Sequence, residues 1–395
     1  MPNLAIKGGR PVRGELLPYG RQMVDDGDID AVVEVLRSEW LTTGPNIENF
    51  ENAFAQRVGA KYAVAVSSGT AALHSAIFAA GIKPGDEVVV PAMTFAASAN
   101  CVRYQGGTVV FVDVNPHTLN IDPACVEAAI TSRTRAIITV DYTGQPSDLD
   151  EINTIAEQNN LMVIEDGSHA LGASYRGRTV GYLTDMTTFS LHPVKHITTG
   201  EGGVISTDDP ELANSMMIFR NHGITSEHRQ RETGRSWFYE MEHLGYNYRL
   251  TDFQCALGNS QLKKLDSNLA RRQKIAAMYQ NAFNVLREVE PLNMLPDRMS
   301  AWHLFVVQLN LELLSVNRTQ IYQALRAENI GVNVHYIPVP WHPYYRKLGY
   351  KKGQWPIAEA AYERILTLPM FPSMSDEDID DVILAVEKVV DAYRN

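Results

Sequence analysis

The chain has 395 residues, 45% of them hydrophobic and 21% charged, with a formal net charge of −11. This composition excludes a disordered chain, and the acidic balance argues against a general nucleic-acid binder. Three cysteines, Cys101, Cys125 and Cys255, form no close pair, which excludes a disulfide framework or a cysteine zinc site and suits a reducing cytoplasm.

The opening stretch, Met1–Gly20, is broken by charges and has no apolar core of signal-peptide length. The longest apolar runs, around Val88–Val90 and Val109–Val112, fall far short of the ~20 residues of a membrane span. A cytoplasmic protein without membrane contact is therefore expected.

From about Met23 to Ser206, short β-rich runs alternate with helical patterns. Candidate strands are Tyr62–Val66, Glu87–Val90, Thr108–Phe111, Ala136–Val140, Met162–Glu165, Met186–Ser190 and Val204–Ser206. Helical segments between them include Thr70–Ala80, Ala96–Tyr104 and Leu149–Gln158, the last with a capping-box-like start at Ser147 and Asp150. Near-continuous apolar strands alternating with helices predict an α/β fold with a mainly parallel sheet covered on both faces. After Thr251 the texture changes to a largely helical stretch, Asp252 to about Leu286, then a loop over Pro291–Asp297. A strand over His303–Asn310, a helix over Asn317–Glu328, a strand over Val332–Tyr336 and a helix over Ser375–Arg394 follow. The expected division is an arm over residues 1–22, a large domain over 23–255 and a smaller α+β domain over 256–395, joined by a helix.

Three stretches can carry chemistry. Ser67-Ser68-Gly69-Thr70 follows a strand and opens a helix, where backbone N–H groups and hydroxyls can hold a phosphate. A plain helix cap explains the same residues, and no Lys follows the glycine as in a Walker loop. Glu165-Asp166-Gly167-Ser168-His169 ends an apolar strand, the place where α/β sheets hold ligands. Asp166 there can keep a cationic ring nitrogen protonated, or it can simply cap a turn. In Ser190–Gly203, one lysine, Lys195, sits in a loop rich in Gly and Thr, 29 residues after Asp166. Lysine forms Schiff bases with carbonyls once its pKa is depressed, although a solvated surface lysine is the ordinary case. The three in this order supply an anion site, a carboxylate and an amine, which are what pyridoxal phosphate needs. Thr94-Phe95-Ala96 offers an aromatic stacking partner.

With these residues the chain resembles the DegT/StrS-type sugar-nucleotide aminotransferases. The matching stretches are Leu41–Pro45, Ser67–Leu73, Pro91–Phe95, Glu165–Ala170, Phe189–Gly203 and Gly245–Leu250, and they run through nearly the whole chain. Leu191 and Gly167 depart from the family pattern without removing a charged or donor group. The resemblance implies the aspartate aminotransferase fold, with a seven-stranded, mixed, mainly parallel sheet and a small C-terminal α+β domain. It implies pyridoxal 5'-phosphate as cofactor and no metal. Lys195 becomes the Schiff-base lysine and proton shuttle, and Asp166 the partner of the ring nitrogen. His169 bonds the phenolic oxygen, Phe95 stacks on the ring, and Gly69, Thr70 and Ser190 bind the phosphate. Asn247 is expected to reach the cofactor of a second subunit, giving a homodimer with active sites at the interface.

Within the family, Leu17–Gln22, Trp40–Pro45 and Lys195–Thr199 look most like the pseudaminic-acid-pathway aminotransferases. That similarity implies amino transfer from glutamate to C4 of a UDP-linked 4-keto-6-deoxy sugar. Tyr19, Trp40, Leu41, Thr42, His335 and Tyr336 are then the expected substrate-binding residues. Alternatives are a perosamine-type GDP-sugar enzyme, a 3-keto dTDP-sugar enzyme and a non-catalytic regulatory homologue. Dehydrating relatives carry His in place of the lysine, so Lys195 argues against that reaction.

Overall fold

A computed structural model describes residues 3–225, Gly234 and residues 237–395. Met1 and Pro2 of the expected arm, and residues 226–233 and 235–236 of the expected large domain, lie outside the described residues.

The seven β-rich runs expected in the first half become strands β1 (Tyr62–Val66), β2 (Glu87–Pro91), β3 (Thr108–Val112), β4 (Thr134–Val140), β5 (Met162–Asp166), β8 (Met186–Ser190) and β9 (Gly203–Thr207); two further two-residue strands, β6 (Ser174–Tyr175) and β7 (Arg178–Thr179), were not expected. A seven-stranded sheet has the order β1-β9-β8-β5-β4-β2-β3. Its β3, β2, β4, β5 and β8 run parallel, and β9 runs antiparallel to both β8 and β1. The expected mixed, mainly parallel sheet is thus found.

Successive strand residues point to opposite faces. Val88, Val90, Ile138 and Ile164 join the core beneath the helices Gly69–Ala79 and Ala96–Tyr104. Val89, Ile137 and Val163 join Val126 and Ile152 of the helices Pro123–Ala129 and Leu149–Asn159 on the other face. Burial on both faces is why these strands read as unbroken apolar runs rather than alternating ones.

The last third forms β10 (Val289–Pro291), β11 (Arg298–Met299), β12 (Phe305–Leu309) and β13 (Ile365–Leu368). A small antiparallel sheet has the order β10-β12-β13, while β11 pairs with β6. Its core takes Ile275 and Tyr279 from the helix Leu265–Phe283, Ile321 from Arg318–Ala327, and Val382 and Val386 from Asp376–Tyr393. Leu4 and Leu17 of the N-terminal stretch are buried in this same core. Asn317 and Gln320 form the capping box their spacing predicts. Other residues of the last third turn back to the large sheet. Trp355 Nε1 donates to the Phe111 carbonyl at 2.9 Å, and the Asp113 carboxylate accepts the Ile357 and Ala358 N–H groups at 2.8 Å. This covers edge strand β3, whose unpaired groups would otherwise invite another strand.

Two local expectations fail. Ser147 does not cap the helix Leu149–Asn159, because its hydroxyl donates to the Val140 carbonyl at 3.1 Å; Asp148 takes the cap position. Residues 332–336 make no strand beyond one bridge, Asn333 with Thr367. The Asn333 side chain takes the Val334 N–H at 2.8 Å, and the Tyr336 N–H turns to Met93 Sδ at 3.4 Å, so both donors leave the ladder. Among the described residues no helix is long and apolar enough to cross a membrane.

Leu17 N–H donates to Asn329 at 2.9 Å, and its carbonyl accepts from Gly331 at 2.7 Å. Leu17→Ala should cost about 2–4 kcal/mol in chemical denaturation, the range for a buried Leu that leaves a cavity.

Candidate active site

The carboxyl ends of β5 and β8 and the N-terminus of the helix Gly69–Ala79 converge on one cavity of about 450 Å3. Parallel strands force this arrangement, because each crossover returns the chain to the same edge of the sheet.

Ser68 caps the helix, its hydroxyl accepting the Ala71 N–H at 3.0 Å. Capping and anion binding do not compete here, since the first-turn N–H groups of Gly69 and Thr70 have no partner within the helix. Gly69 is required by space: a Cβ there would lie 2.8 Å from Ser190 Cβ. The helix end and Ser190 thus press together into a cradle of N–H groups and hydroxyls.

Asp166 is the last residue of β5 and is 6% exposed. Its Oδ2 accepts from Ser98 Oγ at 2.7 Å, and Ser98 in turn lies 2.8 Å from Thr94 Oγ1. Its Oδ1 accepts the Ser168 N–H at 3.2 Å. These bonds fix the carboxylate in place.

Lys195 reaches into the same space, with its Nζ 3.4 Å from His303 Nε2. Burial pushes its pKa down to about 8; Asp166 works against that shift, and Arg272 adds to it. Histidines surround the amine. The His169 and His303 rings lie 4.4 Å apart, and His196 Nε2 meets the Ala301 carbonyl at 3.0 Å. Burial first, then Lys195, holds His169 and His303 well below the ordinary imidazole range, so both are neutral at pH 7. His169 Nε2 is 3.1 Å from the Tyr336 hydroxyl, and its buried Nδ1 has no protein partner. Arg272 is fully buried in the helix Leu265–Phe283, and one guanidinium nitrogen reaches the carbonyls of Trp302, His303 and Met370 at 3.1–3.2 Å. Trp302 takes a left-handed backbone, φ 50°, just before His303. Together they hold His303 against Lys195.

Tyr19, Gly69, Thr70, Phe95, Asp166, His169, Ser190, Lys195, His335 and Tyr336 all line the cavity. Trp40, Leu41, Thr42 and Asn247 do not. Leu41 accepts the Asp252 N–H at 3.0 Å, Thr42 bridges to Thr251, and Asn247 bridges to Asn221. Sequence reasoning missed His303, Arg272 and Ser98. A histidine between Trp302 and Leu304 in an apolar run was the one available signal, and it read as the start of a strand.

The residues present fit pyridoxal phosphate. The cradle suits a phosphate, Asp166 a protonated ring nitrogen, the unpartnered His169 Nδ1 a ring oxygen and Lys195 an aldehyde. Fold and site together define a fold-type I, pyridoxal-phosphate-dependent transaminase. The sequence model of the DegT/DnrJ/EryC1/StrS aminotransferase family matches residues 22–387, and the chain belongs to that family. It is 44% identical over 381 residues to the spore coat polysaccharide biosynthesis protein SpsC of Bacillus subtilis, spanning 96% of this chain and 98% of that one. The pyridoxal-phosphate form of the sugar aminotransferase Spr1654 from Streptococcus pneumoniae superposes with a TM-score of 0.89 at 31% identity, over 95% of this chain and 99% of that one. Helicobacter pylori PseC, an aminotransferase of pseudaminic acid biosynthesis, superposes at 0.90 with 30% identity, over 96% of this chain and all of that one.

A buried amine titrating near 8, below the ordinary lysine value of ~10.4, binds its proton more weakly in the folded than in the unfolded chain. The resulting penalty is full below pH ~8 and fades as pH rises toward ~10.4. Lys195→Met should therefore raise the thermal midpoint of the cofactor-free chain near neutral pH, and the gain should shrink as pH rises.

Proposed function

We propose that the chain transfers an amino group from glutamate to C4 of a nucleotide-linked 4-keto-6-deoxy sugar, with a UDP-linked 2-acetamido sugar as the preferred acceptor. The observation that carries the acceptor class is the cavity wall. Beyond Lys195, Asp166 and Glu201, its polar side chains are hydroxyls and imidazoles, Tyr19, His335 and Tyr336 among them. Such a wall suits a hydroxyl-rich neutral sugar, read by hydrogen bonds rather than by ion pairs. The likeness to SpsC, named for spore coat polysaccharide biosynthesis, and to PseC, named for pseudaminic acid biosynthesis, supports a sugar substrate.

Bound pyridoxal phosphate supplies an electron sink that stabilises negative charge on the carbon being deprotonated. The protein's part is binding and proton transfer. Gly69, Thr70 and Ser190 hold the phosphate. Asp166 keeps the proton on the ring nitrogen, and Ser98 and Ser168 hold its carboxylate in place. His169 offers Nδ1 to the ring oxygen while its Nε2 stays with Tyr336. Phe95, 58% exposed at the cavity wall, covers the ring. Lys195, with an amine that releases its proton near pH 8, takes the proton from the amino-donor carbon in one half-reaction. It returns a proton to the sugar carbon in the other. The nitrogen lost by glutamate, which leaves as 2-oxoglutarate after taking its keto oxygen from water, replaces the keto oxygen of the sugar, which leaves as water.

The working unit in this proposal is a cytoplasmic homodimer. Trp237, Met241 and Leu244 are 85%, 65% and 82% exposed, just before Asn247. Apolar side chains that dense on a surface mark an interface, and a second copy there brings Asn247 to its neighbour's phosphate.

Lys195→Ala should abolish turnover and the absorbance of the lysine-bound cofactor. Asp166→Asn should lower kcat by at least about 100-fold while the cofactor stays bound. Incubation with glutamate and a panel of UDP-, GDP- and dTDP-linked keto sugars, read by mass and NMR, should give a 4-amino sugar from the UDP-4-keto compound. A 3-amino product, or preference for the GDP or dTDP sugar, would overturn the substrate assignment.

A further inference from the structure

Behind Asp166, on the face of the sheet away from the cavity, lie two carboxyls that the chemistry above does not use. Glu165 precedes Asp166 on β5, and Asp141 follows the last residue of β4; both are 0% exposed. Glu165 Oε2 accepts from Thr187 Oγ1 of β8 at 2.8 Å, and Asp141 Oδ1 accepts the Ser147 N–H at 2.9 Å. The remaining oxygens, Glu165 Oε1 and Asp141 Oδ2, have no donor, and the two side chains stand on one face of neighbouring strands, Asp141 two residues past the register partner of Glu165. Thr139, in register with Glu165, adds a buried hydroxyl.

The charged groups around the pair do not compensate it. Asp166 is a third carboxylate on the same strand, and it disfavours ionisation of both. Arg298, which reaches the loop after Asp141, gives its donors to the Pro146 and Ser147 carbonyls and pairs with Asp148 and Asp297. Two neighbouring carboxylates, fully buried and with no ion-pair partner among the described residues, cannot both be ionised, since each charge would be stripped of water beside its like. A proton between the two free oxygens satisfies both at once.

We propose that Asp141 and Glu165 share one proton at neutral pH and act as a positioning pair for Asp166. The pair ties the ends of β4, β5 and β8 together beneath the cavity. The Asp141 N–H also donates to the Asp166 carbonyl at 3.2 Å, so the tie reaches the catalytic residue's own backbone. The pair retains one negative charge, which adds to that of Asp166 and strengthens its hold on a proton in the cavity. This second role rests on the transaminase reading; the shared proton does not.

The test uses the full-length chain with and without bound cofactor. The native state keeps a proton that the unfolded chain releases above the ordinary carboxylate range, so wild-type stability falls as pH rises through neutrality. Thermal or urea unfolding at several pH values should show that E165Q and D141N each flatten this dependence by one proton, about tenfold in the folding equilibrium per pH unit. Equal slopes in wild type and both variants would overturn the shared proton. Should neither variant fold, the infrared band of a protonated carboxyl in native wild type at neutral pH, absent after unfolding, reports the same proton, and its absence overturns the proposal. For positioning, D141N/E165Q should show kcat about tenfold below either single variant, one unit of proton affinity at the group Asp166 holds, with KM for the amino donor unmoved. Equal kcat in single and double variants would remove the positioning role and leave the shared proton standing.

Discussion

The whole site depends on keeping one amine out of water. A lysine on the surface is an inert cation at neutral pH; in this cavity burial takes the Lys195 amine to about 8, where it can shed and regain a proton during turnover. The histidines around it belong to the same arrangement. As neutral rings, His169 and His303 give the amine polar company without a second positive charge, and the buried Arg272 close by is spent on backbone carbonyls. Asp166 supplies the opposing pull that keeps the amine from being driven lower still.

The fold explains why these groups meet. Residues more than a hundred apart in sequence arrive at one edge because every parallel strand of the sheet ends there. The smaller sheet contributes from the other side. It carries His303 just ahead of β12 and brings His335 and Tyr336 past the bridge at Asn333. The N-terminal stretch anchors Leu4 and Leu17 in the smaller core and delivers Tyr19 to the cavity. The cavity is thus a seam between two cores, built from residues that no single local segment could assemble.

Much of this was legible in the sequence, for a physical reason. Strands buried on both faces leave apolar or β-branched runs, and all seven strands of the large sheet fall where such runs stand. The residues around Ser68, Asp166 and Lys195 could be read because their chemistry is local to a strand end or a helix start. What failed was decided by side chains reaching across the fold. Ser147 looked like a cap until its hydroxyl turned to Val140, and residues 332–336 looked like a strand until their N–H groups found Asn333 and Met93. Arg272 left no local mark, and His303 only that of a strand start, because each acts through partners far away in sequence.

The reactivity of Lys195 itself bears most directly on this account. Trace acylation of the cofactor-free protein across a pH series, followed by mass spectrometry of the Lys195 peptide, reads the fraction of neutral amine. The account predicts half-maximal reactivity near pH 8, well below the exposed lysines of the same chain. A midpoint at the ordinary lysine value of ~10.4 would contradict it.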